Sequence, residues 1–163
     1  MFFKFMINNI KITCAAGLFL TAFGACAATT IKVVAEVETK VSTPGHEAIK
    51  LVPANRVVPG DQVVYTLEIR NTGRTALASP TVSYAIPEHM RYVADSAAGP
   101  SAEVSFSVDG GHTFDRPENL RVLEPKGPLR AATAADYTNI RWKFHLSLMS
   151  NSVAFARFRA IVK

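Results

Sequence analysis

The chain has 163 residues, of which 48% are hydrophobic and 19% charged, with nine glycines and nine prolines. At roughly 100 to 200 residues per domain this length points to one domain plus whatever is trimmed away. The composition excludes wholesale disorder, collagen-like repeats and low complexity. The formal charge of +5 is mild and not gathered into a run, so nucleic acid is not an expected partner.

Residues 1–11 carry Lys4 and Lys11 and no acid, and residues 12–23 are uncharged and mostly apolar. A basic start followed by a short apolar run is the layout of an export leader. Ala25-Cys26-Ala27 places small side chains where a signal peptidase reads them, which predicts cleavage between Ala27 and Ala28 and a mature domain over 28–163. Two other readings compete. An uncleaved anchor needs about 20 apolar residues, more than this run supplies, and no second candidate span follows. Lipidation at Cys26 would follow Phe23-Gly24-Ala25, a poor match to the usual Leu-Ser/Ala-Gly/Ala. The only cysteines, Cys14 and Cys26, fall inside the leader. The mature domain therefore has no disulfide, thiol nucleophile or thiolate metal site. Removing Lys4 and Lys11 from +5 leaves it at +3.

Beyond Ala28 the apolar period is two. Ile31, Val33, Ala35, Val37 and Val41 alternate with Lys32, Glu36, Glu38 and Lys40, which predicts a half-buried strand. Pro44-Gly45 breaks it, and a short apolar piece spans 48–52. After the turn Pro59-Gly60-Asp61 a second strand runs over 62–71, with Val63, Tyr65, Leu67 and Ile69 inward. Alternation recurs at Val82, Tyr84 and Ile86, at Met90 and Tyr92, and at Val104, Phe106 and Val108. The last pair is the most regular: Ile140, Trp142, Phe144, Leu146 and Leu148, then Ala154, Ala156, Phe158, Ala160 and Val162. A hairpin closing at 150–152 would set Trp142 against Ala160 and Phe144 against Phe158. About seven antiparallel strands without a convincing helix predict an all-β, immunoglobulin-like β-sandwich, with a small β-barrel as the alternative.

The segment 57–73, with Pro59-Gly60-Asp61, Tyr65 and Asn71-Thr72-Gly73, resembles the opening of the bacterial surface-repeat family known as domain of unknown function eleven. Ile86-Pro87-Glu88-His89-Met90-Arg91-Tyr92 continues the likeness, with Tyr84 where that family usually has Asp. The resemblance covers roughly 57–163. It implies an exported Ig-like module of envelope or surface proteins, commonly in tandem, with no assigned activity. One copy is present here, and no internal repeat is found.

Chemical motifs are few. Ser107-Val108-Asp109-Gly110-Gly111-His112-Thr113-Phe114 is similar to the Asp box of secreted propellers, a peripheral hairpin turn in which the carboxylate caps amides and the aromatic packs beneath. A calcium or sugar contact there is the alternative. Gly-x-Ser-x-Gly is absent, and His46-Glu47 lacks the following histidine of a zinc protease. Asp109, His112, Asp115 and Glu118 crowd a long segment, 109–137, for which either a functional loop or extra short strands, as at 120–123, are expected. The expected protein is not an enzyme and takes no cofactor or metal; a hydrolase is a distant third reading.

The predicted hairpin would also set Lys143 opposite Arg159 and His145 opposite Arg157 on its outer face, with Arg141 beside them. Like charges directly opposite are unfavourable. Either the long side chains splay into solvent, or the stripe Arg141, Lys143, His145, Arg157 and Arg159 binds an anionic envelope polysaccharide or lipid, with Phe155 adding contact. The competing function is an accessory or chaperone-like subunit that pairs with a protein through an edge strand. Export to the periplasm or cell surface is testable: mass spectrometry of the native chain should give an N-terminus at Ala28. A chain starting at Met1, or lipidated on Cys26, would overturn the assignment.

Overall fold

A computed structural model of the protein describes residues 29–43, 46–124 and 127–163. The expected leader, its cleavage point between Ala27 and Ala28, and the break at Pro44-Gly45 lie outside the described residues. The strands are β1 (Thr29–Thr43), β2 (His46–Pro53), β3 (Gln62–Asn71), β4 (Thr81–Ala85), β5 (Met90–Tyr92), β6 (Ala102–Ser107), β7 (Arg121–Leu123), β8 (Leu129–Ala131), β9 (Asn139–Phe144) and β10 (Val153–Val162). Among the described residues the helical content is one 3-10 turn, Pro117–Asn119.

Two antiparallel sheets pack face to face as a β-sandwich. One is five-stranded in the order β2-β1-β3-β10-β5; the other is three-stranded, β4-β9-β6. They do not close into a barrel. The period-two pattern decides which side of each strand is buried. On β3, Val63, Tyr65, Leu67 and Ile69 are almost fully buried and Gln62 and Arg70 are exposed, as alternation requires. Ile140, Trp142 and Phe144 of β9 meet Ala156, Phe158 and Ala160 of β10 in one core. Tyr65 stacks on Phe158 with ring centroids 4.8 Å apart, and Trp142 lies 6.2 Å from Phe158. Burial first, with Tyr84 nearby, holds the Tyr65 hydroxyl well above the ordinary phenol range.

The predicted β9–β10 hairpin does not form. β9 pairs with β4 and β6, Trp142 lying opposite Val82 and Val104. β10 pairs with β3 and β5, Ala160 lying opposite Val63 and Tyr92. The large-against-small fit of the two strands is satisfied across the interior rather than along a ladder. Leu146, expected inward, is exposed, because β9 ends at Phe144 and the chain then crosses between sheets. Immunoglobulin domains keep their last two strands adjacent in one sheet; here they lie in opposite sheets.

Asn71 secures the crossover. Its buried side chain donates to the carbonyls of Thr75 (2.7 Å) and Leu148 (2.9 Å) and accepts from the Gly73 amide (2.9 Å). Its backbone exchanges hydrogen bonds with Ser152 and Asn151. The residue expected only to end a strand also fastens the path from β9 to β10.

The long segment 109–137 contains the expected extra strand, β7, paired with β8. Arg130 organises it, donating to Asp136 at 2.7 and 2.8 Å and to Glu124 at 2.9 Å. Tyr137 stacks on Phe106 at 4.4 Å and joins the segment to the core.

Removing the Trp142 ring should therefore leave a void that small neighbours cannot fill. Trp142→Ala is expected to lower unfolding free energy by about 3–5 kcal/mol in urea melts, and exposed Arg157→Ala by about 0.5 kcal/mol or less.

Candidate functional site

Because β9 and β10 belong to different sheets, the basic stripe divides. Arg141, Lys143 and His145 lie on or at the end of the three-stranded sheet, and Arg157 and Arg159 on the five-stranded sheet. The expected opposition of Lys143 to Arg159 and of His145 to Arg157 is replaced by other neighbours. Lys143 faces Thr81 and Glu103, and Arg157 faces Thr66 and Ala98. The like-charge repulsion read from the sequence is thus absent.

On the three-stranded face Arg141 is engaged locally. Arg141 donates from Nε to Ser83 Oγ at 3.1 Å, and its guanidinium carbon sits 3.6 Å above the centre of the Phe114 ring. Stacking of this kind satisfies a guanidinium without a carboxylate. Glu103 is bonded by Arg116 at 3.0 Å. Its carboxyl is held below the usual range, mainly by that hydrogen bond, with His145 and Lys143 adding smaller electrostatic contributions.

On the five-stranded face the two arginines differ. Arg159 reaches Glu38 at 2.6 Å. Its pairing position is opposite Val64, an outward-facing valine only 1% exposed; long basic stems commonly cover apolar surface in this way. Arg157 donates from Nε to Thr66 Oγ1 at 3.2 Å and makes no ion pair among the described residues. Beside it lies Phe155, 50% exposed. Thr66, Phe155, Ala156 and Arg157, together with Ala98, Gly99 and Pro100, line a shallow groove of about 630 Å³. The neighbouring charge Glu68 is engaged by Arg70 at 3.1 Å.

The groove was not legible in the sequence. Alternation puts Thr66, Phe155 and Arg157 outward, but the segment 98–100 comes beside them only through an isolated bridge between Ala98 and Arg157. Gly99 permits that approach, since a Cβ there would lie 3.2 Å from the Trp142 ring.

The Asp-box segment is a tightly bonded turn, as expected. Asp109 Oδ1 accepts from Ser107 Oγ (2.6 Å) and the amides of His112 and Thr113 (both 3.0 Å). Ser107 Oγ in turn accepts from the Gly111 amide at 2.9 Å. Gly111 has φ of +90° and an added Cβ would meet Asn139, which makes glycine the fitting residue. Phe114 packs beneath Arg141 rather than into the core. Two of the carboxyls crowded in this segment are used locally: Asp109 by the turn, and Asp115 by the Arg116 amide and Asn119. Among the described residues no group of three or more His, Cys, Asp or Glu is arranged to hold a metal. Nor is any described helix long and apolar enough to cross a membrane.

No protein-family model, curated protein or solved structure matches the chain.

Hydrogen bonds from Ser107 and Thr113 hold the Asp109 carboxyl well below the ordinary range. A depressed folded-state value contributes stability that is fully present above the unfolded pKa, about 3.9, and is lost as pH falls through the folded value. Asp109→Asn should therefore melt at lower temperature than the parent at pH 7. The gap should narrow below about pH 4, as thermal melts across pH can check.

Proposed function

We propose that this chain is an exported, non-catalytic module of the cell envelope or cell surface that binds an anionic envelope component through the outer face of its five-stranded sheet. The leader-like residues 1–27 and the resemblance of 57–163 to the surface-repeat family support export. In this reading the fold is an immunoglobulin-related sandwich whose last strand lies beside β3 instead of β9. The observation that carries the binding role is Arg157: it stands beside exposed Phe155 with no carboxylate partner among the described residues, whereas Arg159 is closed by Glu38. A charge left open next to apolar surface is a place for an anion to gain contact.

A second reading, an accessory or chaperone-like subunit, is favoured by the edge of β1. β2 covers β1 only from Glu36 onward, so residues 29–34 pair with β3 on one side and with no described strand on the other. Such an edge can accept an added strand. Ala35 turns its carbonyl toward that side, to the Ala54 amide, so the amide of Val33 faces the same way. Val33 packs against the core, but Ile31, two residues away and 47% exposed, turns its amide the same way. Ile31→Pro should therefore leave the fold intact and abolish capture of a strand-donating partner in pull-downs.

For the first reading, retention on an anionic polymer should fall steeply between about 0.01 and 0.15 M salt. Arg157→Glu should fold normally and lose retention, while Arg141→Glu, on the opposite sheet, should keep it. Unchanged retention by folded Arg157→Glu would overturn this assignment of the face.

A further inference from the structure

Building on that reading, we propose that the Phe155–Arg157 groove takes an acidic sugar of a polysaccharide, a uronate, with the ring's C–H face on Phe155 and its carboxylate on Arg157. The groove volume of about 630 Å³ falls within the range of about 300–1,000 Å³ common to small-ligand sites. Its lining combines two chemistries. Phe155 is the one large apolar side chain in it, and Ala98, Gly99, Pro100 and Ala156 extend the apolar surface. Arg157 and Thr66 supply the polar end.

The guanidinium is positioned. Its Nε is engaged by Thr66 Oγ1 at 3.2 Å, which leaves the terminal nitrogens for a planar carboxylate, the group that a guanidinium fork matches with two parallel hydrogen bonds. Two neighbouring charges are already matched, Arg159 with Glu38 and Glu68 with Arg70, and Lys32, one strand further on beside Glu68, adds positive charge to the same face. Arg157 is therefore the cation of this groove left for a ligand, and an anion is the complementary partner. A sugar ring with polarised C–H groups suits the electron-rich face of Phe155. Insertion into a lipid bilayer calls for a broad apolar surface facing outward. Here Phe155 stands opposite Glu68, which pairs in turn with Lys32, while the outward valines Val34 and Val64 lie opposite Thr66 and Arg159, so polar and charged side chains break up the apolar ones. The observations thus favour a flat ligand with one apolar face and one carboxylate.

The test is amide chemical-shift mapping of the purified protein with a galacturonate trimer, together with affinity electrophoresis in gels holding polygalacturonate, neutral dextran or polyphosphate. Shifts are expected at Thr66, Ala98, Phe155 and Arg157, with retardation by polygalacturonate and none by dextran. Phe155→Ala and Arg157→Gln should each weaken binding about tenfold or more, the scale of one lost charge-assisted or aromatic contact. Phe155→Tyr should keep it. Equal retardation by polyphosphate with no effect of Phe155→Ala would overturn the sugar assignment while leaving an anion-binding face. Absence of binding to either anionic polymer would overturn both. Shifts centred on Arg141 and Lys143 would move the site to the other sheet and overturn the groove, and this readout on the parent protein does not depend on any variant folding.

Discussion

Trp142 and Phe158 face each other from opposite sheets with ring centroids 6.2 Å apart, and both are fully buried. With no cysteine beyond residue 26, no disulfide can tie the strands of residues 29–163 together, and the burial of these apolar faces takes that part. Around them Tyr65, Tyr84 and Tyr92 approach Phe158, so one aromatic cluster draws on β3, β4, β5, β9 and β10. Small residues at Ala156 and Ala160 leave room on β10 for the indole to enter from the other layer.

That choice of layers governs the surface. Placing β9 and β10 in one sheet would have crowded Lys143 against Arg159; placing them in opposite sheets separates the cations and gives each its own chemistry. Arg141 finds a ring, Arg159 an acid, and Arg157 a hydroxyl. Only the last keeps its charge unmatched by a ring or carboxylate, and it does so beside the exposed phenyl of Phe155. The asymmetry between two arginines one alternation apart is what gives the five-stranded face a distinct site.

The strands were readable because period two survives wherever one face of a sheet is buried: β3 and β10 begin and end as the sequence pattern implies. The Asp109 turn was readable because the bonds made by the Ser107 and Asp109 side chains are local, spanning four residues or fewer. Pairing was not. Alternation says which side of a strand is apolar, and Trp142 and Ala160 are complementary whether they lie side by side or face to face. Leu146 misled for a related reason: it continues the alternation of β9 although hydrogen bonding stops at Phe144. The groove depended on residues 98–100 meeting β10, a contact between segments more than fifty positions apart that no local pattern encodes. Asn71 was recognised as a turn former but not as a buried anchor, since its bond to Leu148 spans 77 residues.

The position of β10 inside the five-stranded sheet has a bearing on how the chain matures. β3 gains its second neighbour, and β5 its only one, from the last strand described. Until residues 153–162 have emerged, β3 presents an open ladder and Trp142 has no Phe158 to meet. Sheets closed by such distant segments assemble slowly, because the loop must be ordered before contacts reward it. A nascent chain of this topology stays without its core until β10 has been made, so a strand order read from one ladder also sets the time at which the aromatic interior can first assemble.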